Sequence, residues 1–285
     1  MRRFSLIIFD LDNTIYDWYS AFLPAFYAMV DRASSILQCD REKLLDEMRA
    51  VHIAHHDVEH PFSLLETATV KRELARYGND AVWNELDPAF HDFNRVRKSN
   101  LKLFPNTLTT LEKLSGYGIT LVAYTDSTYF AAWGRIERLG LSGLFSRIYC
   151  RERGSGAQIP PGKSLRALPP RDVVVEIPSH QSKPNPQVLR DIILAQGLNS
   201  TLVAYVGDSL VKDVLMAKRA HCFAIWAKYG AYTDPEMYES LVRISHWSEN
   251  DIQREREYAS AAASISPDFI CEKSIDEILL FLDAR

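Results

Sequence analysis

The stretch "LIIFDLDNTIYD" at residues 6–17 decides the fold prediction. Its apolar start leads directly into Asp10 and Asp12, and Thr14 follows two positions later. In extended chain, residues two apart point to the same face, so the two carboxylates share a face. Such carboxylates repel each other unless something positive lies between them, and Mg2+ is a hard cation that prefers oxygen ligands. The stretch therefore predicts a buried strand that ends at a cation site.

Similar apolar runs recur along the chain and alternate with helical segments. The runs are continuous rather than interrupted by polar residues, which is typical of parallel strands covered on both faces. The predicted strands are residues 4–9, 119–124, 148–150, 202–206, 222–226 and 269–271, with a strand-like "DVVVEI" at 172–177, and the helices between them are 107–117, 130–139, 186–196 and 211–219. The pattern predicts an α/β fold with a doubly wound parallel sheet, whose ligands bind at the carboxyl ends of the strands.

Residues 16–102 interrupt this alternation, because they contain no convincing strand. Apolar residues from Ala21 to Leu37 recur at helical spacing, and further helical patterns cover 41–55, 63–77 and 80–97. We therefore predict an all-helical cap domain at 16–102, inserted into an α/β core that consists of residues 1–15 and 103–285.

The composition argues against several classes of protein. The 285 residues are 47% hydrophobic and 25% charged, with a formal net charge of -4. These values are ordinary for a soluble globular protein and do not favour a nucleic-acid partner. The four cysteines form no CxxC pair, so neither a structural zinc site nor a disulfide framework is expected. No run approaches the roughly 20 apolar residues of a membrane span. We expect a cytoplasmic protein with no membrane partner, and the sequence is silent on oligomeric state.

Polar residues follow other predicted strands at the same edge of the sheet. Thr125, Asp126 and Ser127 follow one strand, Asp208, Ser209 and Asp213 follow another, and Lys183 precedes the helix predicted at 186–196. Magnesium, a lysine and hydroxyl groups can bind the oxygens of a phosphoryl group, and an aspartate can attack its phosphorus. These residues together predict a site for a phosphorylated substrate.

Four motifs in this order resemble those of the haloacid dehalogenase (HAD) superfamily. They are "FDLDNT" at residues 9–14, "VAYTDS" at 122–127, "KP" at 183–184 and "VGDSLVKD" at 206–213. The helical segment after the first motif resembles the cap of the subfamily with a helical bundle in that position. The resemblance implies an α/β core with an inserted cap and a magnesium-dependent hydrolase.

The resemblance also implies a role for each site residue. Asp10 resembles the nucleophile that forms an aspartyl-phosphate, and Asp12 resembles the acid that protonates the leaving oxygen and then activates water. Mg2+ would be held by Asp10, Asp208 and the backbone carbonyl of Asp12. Phosphate binding is expected from Thr125, Asp126 and Lys183, with support from Thr14, Ser209 and Asp213, of which Asp213 would orient Lys183 or a metal-bound water.

The implied function is hydrolysis of a small phosphorylated metabolite, such as a nucleotide or a sugar phosphate. The acid at Asp12 favours phosphoester over carbon–halogen chemistry, because an alcohol leaving group needs a proton and a halide does not. Two other functions stay open at this point. One is a phosphomutase that uses the same site, and the other is a regulatory or binding protein that keeps the fold with weak turnover.

Several single residues also have simpler interpretations. Asp10 and Asp12 could end a solvated strand, Lys183 could be a surface lysine, and Asp213 could stabilise the start of a helix. His52, His56 and His60 are spaced four apart and could bind a metal or meet substrate from the cap. The role of the Gly- and Pro-rich segment within 151–180 is open, and "REREYASAAAS" is expected to be a solvated helix.

Overall fold

The computed structural model describes residues 3–60, 62–152, 172–231, 234–248, 253, 264–280 and 282. Most of the Gly- and Pro-rich segment, and nearly all of the "REREYASAAAS" stretch, lie outside the described residues. Across the described part of the chain, no helix is both long and apolar enough to cross a membrane.

Seven parallel strands form one sheet in the order β4-β3-β2-β1-β5-β6-β7. The strands are β1 (Leu6–Phe9), β2 (Thr120–Thr128), β3 (Arg147–Arg151), β4 (Val174–Ile177), β5 (Val203–Gly207), β6 (Phe223–Ala227) and β7 (Phe269–Cys271). The predicted doubly wound parallel sheet is therefore confirmed. The strand β2 is longer than its apolar run predicts, because it also contains Thr125, Asp126 and Ser127.

The helices are α1 (Trp18–Leu37), α2 (Arg41–His55), α3 (Ala68–Tyr77), α4 (Asn79–Asn100), α5 (Thr107–Gly116), α6 (Tyr129–Arg138), α7 (Pro186–Ala195), α8 (Met216–Arg219), α9 (Lys228–Ala231) and α10 (Pro235–Ile244). Two predicted helices differ in detail. Residues 63–77 divide into a 3-10 turn (Ser63–Glu66) and α3, because Thr67 is extended and its side chain caps α3 by accepting from Val70 N. The helix predicted at 211–219 begins as a π-helical turn, Leu210–Leu215, before α8.

The strand β1 explains why its apolar run is continuous. Leu6 and Ile8 face one hydrophobic cluster, while Ile7 and Phe9 face another, and all are fully buried. Helices α5 and α6 cover the second cluster, and α7 and α8 cover the first. A strand with helices on both faces has no polar side, so the alternation that marks a half-exposed strand is absent.

Between the start of α1 and the end of α4, the described residues form helices and one 3-10 turn and no strand. Asp17 caps α1 by accepting a hydrogen bond from Ser20 N, and Asp40 caps α2 in the same way through Lys43 N. The apolar faces of these helices form a third hydrophobic cluster, separate from the two beside the sheet. The all-helical insertion that the sequence predicts is therefore present.

Helix α10, which follows β6 in the chain, also packs against this third cluster. Leu241 and Ile244 are buried among the cap residues, and Tyr27 Oη donates to Ser240 O at 2.9 Å. The Arg49 side chain donates to two carbonyls just beyond α10. The domain boundaries at 15/16 and 102/103 stay a prediction. Helix α10 lies outside the predicted cap, residues 16–102, yet it contributes side chains to the third cluster.

We predict that Ile244→Ala will destabilise the protein by about 2–5 kcal/mol, because truncation of a fully buried isoleucine leaves a cavity in the third cluster. Urea unfolding followed by circular dichroism measures the change. The control is Leu194→Ala, whose side chain is 68% exposed, and its change should stay within about 0.5 kcal/mol. Equal effects of the two substitutions would contradict a structural role for α10.

Candidate active site

The carboxyl ends of three adjacent strands bring the predicted residues together. Strand β1 lies between β2 and β5. Asp10 and Asp208 directly follow β1 and β5, and Thr125 lies in the carboxyl-terminal half of β2. From β1 the chain adds β2, β3 and β4 on one side, and it later adds β5, β6 and β7 on the other side. This reversal of strand order creates the crevice where ligands bind in open α/β sheets. The topology thus places residues that are far apart in sequence at one edge.

Lys183 is the centre of the site. Its Nζ atom lies 2.6 Å from Asp10 Oδ1 and 2.8 Å from Asp213 Oδ1, and the lysine side chain is only 5% exposed. Tyr205 Oη also donates to Asp213 Oδ1 at 2.9 Å. These contacts exclude the interpretation of Lys183 as a surface lysine and place Asp213 beside it, while the supporting role of Asp213 stays a prediction.

The cluster carries more negative than positive charge. When all three are ionised, Asp10, Asp208 and Asp213 contribute three carboxylates against the single ammonium of Lys183, an excess of two negative charges. Burial raises the pKa of Asp10 well above its usual range, and the neighbouring carboxylates raise it further, against the opposing effect of Lys183. Burial, followed by the charge of Asp213, raises the pKa of Asp208 to about 7. Excess charge of this size equals that of one divalent cation.

Three carboxylates are positioned to share such a cation. Ligand oxygens of Asp10, Asp208 and Asp213 all lie within 4.8 Å of one another. A donor set made of oxygen alone suits Mg2+ better than a softer transition metal. The residues present therefore fit the ion, although the predicted set contained the carbonyl of Asp12 and not Asp213.

The residues of β2 hold one another and the lysine loop. Thr125 is buried, and its Oγ1 atom accepts from Ser127 N at 3.1 Å. Asp126 Oδ1 accepts from Lys183 N at 2.9 Å, so this carboxylate holds the backbone of the loop that presents Lys183. Direct binding of phosphate by Asp126 stays a prediction.

Asp12 is held by two side chains from β2 and α6. Arg135 Nη1 donates to Asp12 Oδ1 at 2.8 Å, and Ser127 Oγ donates to Asp12 Oδ2 at 2.5 Å. Burial alone would lower the pKa of Arg135, but the charges of Asp12 and Glu59 raise it well above its usual value. The guanidinium therefore stays charged. Arg135 lies outside every motif, so no sequence signal points to it.

The supporting residues shape the turns beneath the carboxylates. Thr14 Oγ1 donates to Asp10 Oδ2 at 3.4 Å, a long contact, while Ser209 caps the π-helical turn and its backbone N–H donates to Asp213 Oδ2 at 3.0 Å. A Cβ atom at Gly207 would lie 2.3 Å from Asp213 Cγ. The close approach of Asp213 to the β5 backbone therefore requires glycine at this position.

Other residues of the site carry no sequence signal. Tyr205 lies within an apolar strand, and Trp226 Nε1 donates to Asp208 O at 2.7 Å from the end of β6. Tyr229 Oη donates to Thr14 O at 2.7 Å. An aromatic residue within or next to an apolar segment usually indicates core packing, so only the structure reveals that these three groups fix the backbone and carboxylates of the site.

The cap histidines do not gather as their spacing suggests. His52 is buried against Ile244 O, and His56 ends α2 in a left-handed conformation. His60 instead pairs with His55, and both imidazoles hydrogen-bond with Glu66. Their rings are stacked, with centroids 3.5 Å apart and planes within 6°. Because a metal lies in the plane of each ligating ring, parallel stacked rings cannot both bind one ion well.

Comparisons with known proteins agree with this fold. The model of the haloacid dehalogenase-like hydrolases matches residues 4–221. The chain therefore belongs to the haloacid dehalogenase-like hydrolase family. This membership confirms the predicted family and the prediction that the protein is a hydrolase of the HAD type.

Particular relatives are distant but span most of each chain. A glyceraldehyde 3-phosphate phosphatase of Methanopyrus kandleri is 26% identical, covering 81% of this chain and 86% of the relative. A phosphoglycolate phosphatase of Agrobacterium fabrum is 25% identical, covering 82% and 84%. Among solved structures, a 2-haloacid dehalogenase from Pseudomonas syringae has a TM-score of 0.55 at 20% identity, covering 97% and 98%. A HAD phosphatase from Thermococcus onnurineus has a TM-score of 0.52 at 18% identity, covering 96% and 97%.

We predict that Asp208→Asn will stabilise the metal-free protein increasingly as pH rises from about 4 to about 7. The raised pKa of Asp208 means that the folded state retains a proton that the unfolded chain releases in this window, so the wild type loses stability there. Each pKa unit corresponds to about 1.4 kcal/mol, which limits the gain to a few kcal/mol. Urea unfolding in EDTA between pH 4 and pH 8 measures it.

Addition of Mg2+ should make the wild type more stable than Asp208→Asn at pH 8, because the ion stabilises the wild type more than the variant that lacks one ligand. A stability difference that does not change with pH would contradict the raised pKa of Asp208.

Proposed function

We propose that this protein is a magnesium-dependent phosphatase that hydrolyses a small phosphorylated metabolite through an aspartyl-phosphate intermediate. The observation that carries the proposal is the buried Asp10 carboxylate, which contacts Lys183 and shares a cluster with Asp208 and Asp213. A second acid, Asp12, lies at the same strand end. Two distant relatives named phosphatases support this choice over carbon–halogen chemistry.

The first step transfers the phosphoryl group to the protein. A carboxylate oxygen of Asp10 attacks phosphorus, and the bond from phosphorus to the leaving oxygen breaks. Asp12 gives its proton to that oxygen, so the product leaves as an alcohol. Lys183 and Thr125 bind the non-bridging oxygens, where negative charge is concentrated, and the ammonium is already desolvated and fixed by its carboxylate partners.

The second step returns the protein to its starting state. Asp12, now a carboxylate, takes a proton from water, and the water oxygen attacks the phosphorus of the aspartyl-phosphate. The bond from phosphorus to Asp10 breaks, which releases inorganic phosphate and leaves Asp12 protonated for another cycle. Both steps balance without any oxidant, reductant or additional substrate.

Asp10 and Asp208 would hold Mg2+, with Asp213 close by. When bound, the ion neutralises charge on the phosphoryl oxygens and on the carboxylates themselves. With all three carboxylates ionised, the cluster carries two more negative charges than positive ones, which a divalent cation would neutralise.

The substrate class rests on the cap and on the relatives. Helices packed above strand ends can exclude bulk water and select the leaving group. The relatives' names refer to phosphate esters of two- and three-carbon compounds, which we add to the nucleotides and sugar phosphates expected from the sequence. A panel of these esters, assayed with Mg2+, identifies the preferred substrate.

A phosphomutase would use the same first step and then pass the phosphoryl group to a second hydroxyl. Rapid interconversion of sugar phosphates with slow phosphate release would favour it. A purified protein that is inert towards the whole panel and binds another macromolecule would favour the regulatory alternative.

We expect Asp10→Asn to lower phosphate release from 4-nitrophenyl phosphate by at least about 1,000-fold, because the amide cannot act as the nucleophile. Asp12→Asn should lower kcat/KM for an alkyl phosphate by about 100- to 10,000-fold. Removal of Mg2+ with EDTA should abolish activity, and added Mg2+ should restore it.

The matched control is Asp191→Asn, an exposed carboxylate on α7 that contacts only Gln187 among the described residues. Its activity should stay within about twofold of the wild type. An active Asp10→Asn protein would refute the assigned nucleophile.

A further inference from the structure

Arg135 links the α/β core to the cap through one buried guanidinium. The arginine lies on α6, and its side chain is only 8% exposed. Its Nη1 atom donates to Asp12 Oδ1 and to Ser127 Oγ, each at 2.8 Å, while its Nη2 atom donates to Glu59 Oε1. Glu59 belongs to the loop between α2 and the 3-10 turn. One guanidinium nitrogen of Arg135 therefore binds Asp12 and the other binds the cap residue Glu59.

The geometry leaves Asp12 little freedom. Arg135 binds one carboxylate oxygen of Asp12, and Ser127 binds the other while also accepting from Arg135. The planar guanidinium is rigid, so its orientation towards Asp12 depends on what holds its other nitrogen. That group is Glu59, which is itself largely buried, at 14% side-chain exposure.

We propose that Arg135 is a positioning residue that orients Asp12 for proton transfer to the leaving group, and that Glu59 of the cap loop holds Arg135 in this orientation. The inference rests on the proposed phosphatase function. It makes the second aspartate dependent on the cap: where the loop of Glu59 is in place, the Asp12 carboxylate is fixed by two partners. A misplacement of about 1 Å in such a group costs on the order of 100-fold in rate.

A second ion pair from the same loop provides a matched comparison. Arg151 Nη2 lies 3.1 Å from Asp57 Oδ2 and joins the cap loop to the end of β3. Asp57 and Glu59 thus each make an ion pair with the core, although the pair of Asp57 is longer and its arginine is more exposed. Asp57 Oδ1 also accepts from Glu59 N at 3.0 Å. Only the arginine that binds Glu59 also binds Asp12. If activity depends only on attachment of the loop to the core, loss of either ion pair should lower it. If Glu59 acts by positioning Asp12, only loss of the Arg135–Glu59 pair should impair proton transfer.

Two substrates of similar size separate positioning from structure. Benzyl phosphate releases an alcohol that needs a proton, whereas 4-nitrophenyl phosphate releases a stable anion that needs almost none. The parameter kcat/KM reports the steps through the first phosphoryl transfer, so it isolates the step in which Asp12 acts as the acid. The readout is the ratio of kcat/KM for the nitrophenyl ester to kcat/KM for the benzyl ester, measured with Mg2+.

We expect Arg135→Met to raise this ratio by at least about 30-fold, because proton donation by a positioned acid is worth about 100- to 10,000-fold. Arg135→Lys keeps the charge and should raise the ratio less. Glu59→Gln keeps the shape of the side chain and should raise it about three- to tenfold. If Arg135→Met does not fold, Arg135→Lys and Glu59→Gln test the proposal by themselves.

Asp57→Asn keeps the Oδ1 atom that accepts from Glu59 N and removes only the charge that faces Arg151, so it should leave the ratio within about twofold of the wild type. If the variants of Arg135 and Glu59 lower kcat/KM equally for both substrates, the positioning role is overturned and the phosphatase function still stands. A wild-type protein that hydrolyses neither ester with Mg2+ would overturn both proposals. A ratio that rises as much in Asp57→Asn as in Glu59→Gln would assign the effect to loop attachment, and would also overturn the role of Glu59.

Discussion

The burial of a carboxylate cluster with one lysine at its centre constrains the rest of the site. Taking charged groups out of water is costly unless they are paired, and removing one partner leaves an uncompensated buried charge. Lys183 contacts both Asp10 and Asp213, and these contacts hold the loop before α7 against the ends of β1 and β5. The remaining negative charge explains why the same residues fit a divalent cation. Stability of the metal-free fold and affinity for a cation are therefore opposed in this cluster.

The sheet satisfies this constraint through its strand order. Central β1 delivers Asp10, and its neighbours β2 and β5 deliver Thr125 and Asp208. Close backbone approach matters as much as side chains: Gly230 lies so close to Asn13 O that an added Cβ atom would overlap it, at 1.6 Å. The turn that follows the opening strand is therefore shaped from both sides, by the residues of its own motif and by a glycine distant in sequence.

Much of the fold and the centre of the site could be predicted from the sequence. Continuous apolar runs predicted a parallel sheet because both faces of β1 are buried. The motifs named Asp10, Lys183 and Asp213 because each motif is a short stretch that can be read locally, although the three residues are far apart in sequence. Sequence patterns could not reveal Arg135 or Glu59, since a single charge on an amphipathic helix or in a polar loop usually faces solvent. Helix α10 was missed as part of the cap cluster for a related reason: its apolar face predicts burial but does not identify the partner.

The most direct test of the account is a crystal structure of the protein with Mg2+ and beryllium fluoride, a mimic of a phosphoryl group on a carboxylate. The account predicts beryllium bonded to a carboxylate oxygen of Asp10, with fluorine atoms near Thr125 Oγ1 and Lys183 Nζ, and with Mg2+ bound by Asp10 and Asp208. Beryllium on a different side chain, or a metal bound away from this cluster, would contradict the account.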